Sequence, residues 1–150
     1  MLRERLNEEL KTAMKAKEAL RVGTLRLITS AIKDRDIALR GEGKGAVDDP
    51  GVLDLLQKMV KQRRDSIQAF EAGGRLDLAA QERSEIEIIS AFLPAQLSEA
   101  EMAAACAASI AEAGAAGPKD MGKVMAVLKE RFAGRMDFTR ASAKVKELLS

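Results

Sequence analysis

Apolar side chains recur along this chain at intervals of three and four, and no stretch alternates with the period of two that a strand requires. Leu2, Leu6, Leu10, Ala13 and Met14 form a first stripe, and Val22, Leu25, Ile28, Ile32 and Leu39 form a second. Val52, Leu55, Leu56, Met59, Val60, Ile67 and Phe70 continue the pattern, followed by Ala79, Ile86, Ile89, Phe92 and Leu93. Beyond Pro94 it resumes in Met121, Val124, Met125, Leu128 and Phe132, then in Phe138, Ala141, Val145, Leu148 and Leu149. Four Phe, no Tyr and no Trp leave few of the aromatic residues that strands favour. The expectation is an all-α fold.

The breakers divide the stripes. Gly23 lies near the junction of the first two and argues against one continuous helix. Gly41 to Gly45, with Asp48-Asp49-Pro50 behind it, reads as a loop. It lacks the GxxxxGK[ST] order of a phosphate loop and no strand precedes it, so it is expected to be a solvated linker. Asp49 and Pro50 then read as N-cap and first-turn proline. Gly73-Gly74 ends that helix and Asp77 starts the next. Pro94 is the strongest boundary, because the residue before a proline is pushed away from helical backbone. Ser98 and Glu101 form a capping-box pattern, Gly114 ends that helix, Pro118 starts another and Gly134 stops it. This predicts a four-helix bundle over 1–94 and a three-helix tail over 97–150.

Composition excludes several chemistries. The chain has no histidine, so it holds no Ser-His-Asp or Cys-His nucleophile system and no histidine-ligated metal. Without Tyr, general acid-base work falls to Asp, Glu or Lys. The single cysteine, Cys106, shares a helical spacing with Met102 and Ile110 and reads as buried packing. One cysteine allows no internal disulfide. The first residues, MLRERLNEELK, carry no apolar core of a secretory signal, and no apolar run reaches the ~20 residues of a membrane span. A cytoplasmic protein with no membrane partner is the expectation.

Charge is distributed unevenly. The overall balance is only +2. Residues 1–40 carry ten basic and six acidic side chains, and residues 41–96 carry seven and ten. From Lys119 to the end there are eight basic residues against four acidic ones. A basic helical module is suited to the phosphate backbone of a nucleic acid. The candidate contact residues are Lys119, Gly122, Lys123, Gly134, Arg135, Arg140 and Lys144. Gly122 either lets a phosphate approach backbone N–H groups beside Lys123 or permits a close helix–helix contact. Gly134 reads as a C-cap and Asp137 as an N-cap, which puts Arg135 at an exposed tip, free to reach a phosphate or to pair with Asp137. Lys144 and Lys146 are either phosphate contacts or a solvated face. Arg63 is expected to pair across helices with one of Glu82, Glu85 and Glu87, and Arg75 and Asp77 to shape a turn. All four Phe fall on apolar stripes, which leaves no stacking platform for unpaired bases.

Three clusters carry a family resemblance: KQRRDSIQAFEAGGRLDLAAQERSEIEIISAFLPAQLSEAEM from Lys61 to Met102, the run Asp120 to Met125, and Gly134-Arg135-Met136-Asp137 leading into SAKVKELL. With these the chain resembles the GatB/YqeY-like proteins nearly end to end. The resemblance implies a helical bundle followed by a small tail, similar to the C-terminal domain of the B subunit of tRNA-dependent amidotransferases. Those enzymes convert misacylated Glu-tRNA(Gln) or Asp-tRNA(Asn) to the correct amide. Similar tails are appended to some glutaminyl-tRNA synthetases, and in these settings the tail contacts tRNA away from the reactive end. The implied partners are tRNA and, beyond it, aminoacyl-tRNA synthetase or amidotransferase components. The family label also carries a carbon–nitrogen ligase activity with glutamine as amido donor. This chain, however, is too short for the kinase-like catalytic cradle and shows neither a Ser-Lys amidase signature nor a carboxylate cluster for Mg²⁺ and ATP. The expectation is a non-catalytic tRNA-binding accessory protein that needs no cofactor and no metal. The alternatives are a protein–protein adaptor or oligomerisation module, and a part in glutamine-dependent amide transfer.

Overall fold

A computed structural model describes residues 2–150. Among them are seven α-helices and no strand, so the protein is all-α. The chain gathers into two compact units that divide between Leu93 and Pro94. Among the described residues no helix is long and apolar enough to cross a membrane.

The first unit holds α1 (Leu2–Lys15), α2 (Ala19–Gly41), α3 (Asp49–Ala72) and α4 (Leu76–Ser90). Each turns its apolar stripe to one core, where Leu6, Leu25, Ile28, Leu56 and Ile89 are fully buried. Burying each such side chain contributes about 1.5–3 kcal/mol, which is what fixes short helices that would be marginal alone.

Three of the four helix stops of the first unit and the first of the second share one device. At the end of α2 the Lys44 N–H reaches Leu39 O, at the end of α3 the Arg75 N–H reaches Phe70 O, and after α5 the Ala115 N–H reaches Ile110 O. Gly43, Gly74 and Gly114 hold the left-handed backbone this closure needs, with φ of 75°, 74° and 65°. The end of α1 closes in the same way, with Lys17 N–H on Met14 O and Glu18 N–H on Ala13 O. There Lys17 takes the left-handed position at φ 59°, the one non-glycine with positive φ among the described residues. The break between the first two helices therefore falls at 16–18 and not near Gly23, which lies inside α2 with open space beside it.

Two helix starts also move. The N-cap of α3 is Asp48, not Asp49: its carboxylate accepts the Gly51 N–H at 3.0 Å, the third amide beyond it. Asp49 is the first helical residue and instead accepts the Leu2 N–H at 3.3 Å. Helix α4 begins at Leu76, and Asp77 sits in its first turn paired with Arg75. The 42–48 segment is no solvated linker throughout. Val47 is buried and its N–H donates to Asp36 at 2.8 Å. Arg3 closes the latch with a two-nitrogen fork on the same carboxylate, at 2.8 and 3.1 Å, and a further bond to Val47 O at 3.0 Å. Arg3 and the Val47 amide together hold the Asp36 carboxyl below the usual carboxylate range.

The second unit holds α5 (Glu99–Ala113), a 3-10 turn (Pro118–Asp120), α6 (Met121–Arg131) and α7 (Phe138–Leu149). The capping box is present: the Glu101 N–H reaches Ser98 Oγ at 3.1 Å and the Ser98 N–H reaches the Glu101 carboxylate at 3.0 Å. Asp137 caps α7 through the Thr139 N–H at 2.9 Å. The core gathers Cys106, Val124, Leu128, Ala141 and Val145, none of them measurably exposed.

Candidate nucleic-acid interface

Arg135 rests on a turn that is stitched to the start of the unit. Gln96 Nε2 donates to Pro94 O at 2.8 Å and to Gly134 O at 2.6 Å, and the Leu97 N–H reaches Arg135 O at 2.9 Å. Gly134 has φ 74° and is buried. The turn is thus no exposed tip. Arg135 is half-buried, its Nε donates to Ala95 O at 3.1 Å, and its guanidinium lies 6.0 Å from the centre of the Phe132 ring. Among the described residues its two terminal nitrogens have no acceptor. The guanidinium is held by its inner edge and by a ring face, and its outer edge stays available. Glu101, whose carboxyl feels the Arg135 charge, is occupied by the Ser98 amide and hydroxyl, which hold it low with a smaller contribution from Arg135.

The seven residues singled out by sequence do not form one cluster. Arg140 pairs with Glu99 at the first turn of α5, near Arg135 on Ala95. Lys119, Gly122 and Lys123 follow the turn that ends α5, where Asp120 accepts the Ala116 N–H at 3.0 Å. These two groups are anchored at opposite ends of α5, a helix about 22 Å long at 1.5 Å per residue. Lys144 is half-buried, lies 3.6 Å from Glu147, and makes itself felt at Cys106, midway along α5. Lys123 stands 3.9 Å from Asp120, and Lys119 is exposed with no ion pair among the described residues. A Cβ placed on Gly122 would meet nothing within 4 Å, so no helix packs against it and the close-contact reading falls.

Burial explains the other candidates. Cys106 is fully buried and its Sγ lies 3.8 Å from Ala141 O. Burial pushes the thiol up, away from the reactive thiolate. Arg63 pairs with Glu85 across α3 and α4 at 3.2 Å and donates to Met59 O at 3.2 Å. Both side chains of that pair are 12% exposed, which makes it an internal strut. Glu82 beside it is pushed above the usual range, first by burial and then by the Glu85 charge. Phe92 is buried and the other three Phe are half-buried, so none of the four is a bare stacking platform.

The structure adds two features. Leu20, Gly23, Leu27 and Ala80 line a cavity of about 850 Å³ between α2 and α4, open to solvent, with Leu20 40% and Leu27 51% exposed. The Asp36 latch is the other. Its signal in the sequence is an acid on the Leu25–Ile28–Ile32 stripe, where a core residue is due.

Taken together, these units make an all-α protein of a four-helix bundle and a three-helix tail whose last two helices are basic. The chain belongs to the Yqey-like protein family, whose model matches residues 3–149. Among curated proteins it is similar to the Altered inheritance of mitochondria protein 41, mitochondrial, of Saccharomyces cerevisiae strain S288c, with 39% identity over 88 residues. The same protein of Lachancea thermotolerans is 42% identical and that of Candida glabrata 40%. Each match covers 59% of this chain and 46–47% of the relative, so it spans about half the length of those proteins.

Proposed function

We propose that this protein is a non-catalytic accessory protein that binds structured tRNA through its tail. The observation that carries the reading is the posture of Arg135. Its side chain is already ordered by Ala95 O and the Phe132 ring, and its terminal nitrogens have no acceptor among the described residues. An arginine fork suits bidentate phosphate recognition, and an ordered one forfeits less side-chain entropy on binding. Arg140, one turn into α7, adds a second cation on the same end of α5, held by an exposed Glu99 pair that a phosphate can displace. Lys119 and Lys123 offer a second, separate approach beside Gly122, whose missing side chain leaves the first turn of α6 open. With no bare aromatic surface, recognition would run through shape and phosphates, as for folded RNA.

The test is a filter-binding titration with total tRNA at low salt. The expected result is saturable binding that Arg135→Gln weakens several-fold and Arg135→Lys restores only in part. Binding indifferent to charge reversal at Lys123 and Arg135 would sink the proposal, as would amide formation on misacylated tRNA by the purified protein alone. The α2–α4 cavity favours a second reading, a protein adaptor. A pull-down that recovers protein partners after nuclease treatment, and loses them with Leu27→Asp, would support it.

A further inference from the structure

In the tail, several cations already lean on acids: Arg140 on Glu99, Arg131 on Glu112, Lys144 on Glu147 and Lys123 on Asp120. Along α2, beyond Arg21 and its Glu9 partner, one row shows the reverse. Arg26, Ser30, Lys33, Ile37 and Arg40 succeed one another at steps of four and three, which places them in one row along the helix. All five are exposed, and no ion pair involves Arg26, Lys33 or Arg40 among the described residues. The acid within one turn of both Lys33 and Arg40 is Asp36. It senses the Arg40 charge, but both its oxygens are bonded by Arg3 and one of them also by the Val47 amide. The row is therefore a line of three uncompensated cations spaced by about 10.5 Å and spanning about 21 Å on a rigid helix.

We infer that this row on α2 is a second phosphate-contact line for RNA, lying in the bundle rather than in the tail. The inference rests on RNA being the partner. Three regularly spaced, exposed cations on one helix match a repeating phosphate backbone, with Arg26 and Arg40 able to fork onto phosphate oxygens and the Ser30 hydroxyl between the first two cations. An anionic membrane fits less well. An interfacial helix must insert an apolar face, and here Leu25, Ile28 and Ile32 are spent on the core, leaving Ile37 as the row's one apolar member.

The test uses the full chain and total tRNA, with binding followed from 50 to 200 mM salt. Four proteins are compared: wild type, the triple variant R26Q/K33Q/R40Q, the charge-keeping variant R26K/R40K, and Arg135→Gln. Each phosphate contact adds about 0.7–0.9 to the slope of log affinity against log salt. The wild type should therefore lose roughly 20- to 40-fold more affinity over this range than the triple variant, and R26K/R40K should follow the wild type. A triple variant whose salt slope equals that of the wild type, while Arg135→Gln weakens binding, overturns the α2 line and leaves the tail reading intact. The opposite pattern, a shallower triple variant and an unaffected Arg135→Gln, retains the α2 line and removes the tail. A wild type that sediments with anionic vesicles but shows no saturable tRNA binding overturns both.

Discussion

Lys17 holds a backbone position that glycine fills at the three comparable helix ends, and replacing it should stabilise the bundle. The left-handed conformation costs an L-residue about 1–2 kcal/mol. Glycine escapes that cost but loses about 0.5–1 kcal/mol through its freer unfolded chain. Lys17 is exposed and makes no ion pair among the described residues, so little else is given up. The net expectation for Lys17→Gly is a gain of about 0.5–1 kcal/mol. For a unit of this size that raises the melting temperature by about 2–8 °C. Hydrogen exchange isolates the effect from the tail: globally exchanging core amides, such as those of Leu25 and Leu56, should gain about two- to fivefold protection. Lys17→Ala separates backbone relief from loss of the lysine charge, and it should yield no such gain. Equal gains for Ala and Gly, or a loss for Gly, would refute the account, because the strain would then not reside in the backbone.

In the tail, the two glycines of the candidate interface should respond with opposite signs. Gly122→Ala meets open space inside a helix and should add about 0.5 kcal/mol of tail stability, whereas Gly134→Ala should cost about 1 kcal/mol or more at φ 74°; denaturant titration followed by exchange of tail amides checks both. Cys106 should react with a thiol reagent only as fast as the tail opens, so the labelling rate should rise in step with denaturant, and rapid labelling in native buffer would contradict its burial. Asp36 has a lowered carboxyl, so the stability it supplies is complete above the ordinary carboxylate range and is lost as pH falls through its own titration. An Asp36→Asn bundle should therefore be less stable at neutral pH and show a flatter acid decline below about pH 4. Glu82 is shifted upward, so its charge works against the fold at neutral pH; Glu82→Gln should stabilise the bundle at pH 7 and leave it unchanged near pH 3, as read by urea midpoints.

Much of the fold was legible because it rests on local chemistry. The Ser98–Glu101 capping box, the Asp137 cap and the glycine stops at Gly74 and Gly114 require only residues a few positions apart. The same locality explains the misses. Gly23 drew attention as a breaker, but a helix interior tolerates glycine when its partners are fixed by packing. The real stop at Lys17 carries no compositional mark, since it is imposed on a lysine by where α1 and α2 must bury their stripes. Asp48 and Asp49 differ only in which carboxylate meets the amide three residues on, and that depends on a backbone angle.

By sequence alone the candidate interface is one basic segment. Summing charge along a sequence counts every lysine and arginine, but it cannot see which acid lies across from each. The acids that answer Arg140 and Arg131 come from α5, far back in the chain, and the acid facing Lys33 and Arg40 is neutralised by Arg3 from another helix. Periodicity and caps alone determined that this protein is helical, where most helices end and which faces are buried, because those depend on neighbours within a turn or two. Only the tertiary structure decided which cations remain unanswered and how Arg135 is held, because ion pairing and hydrogen bonding depend on distances between residues remote in sequence.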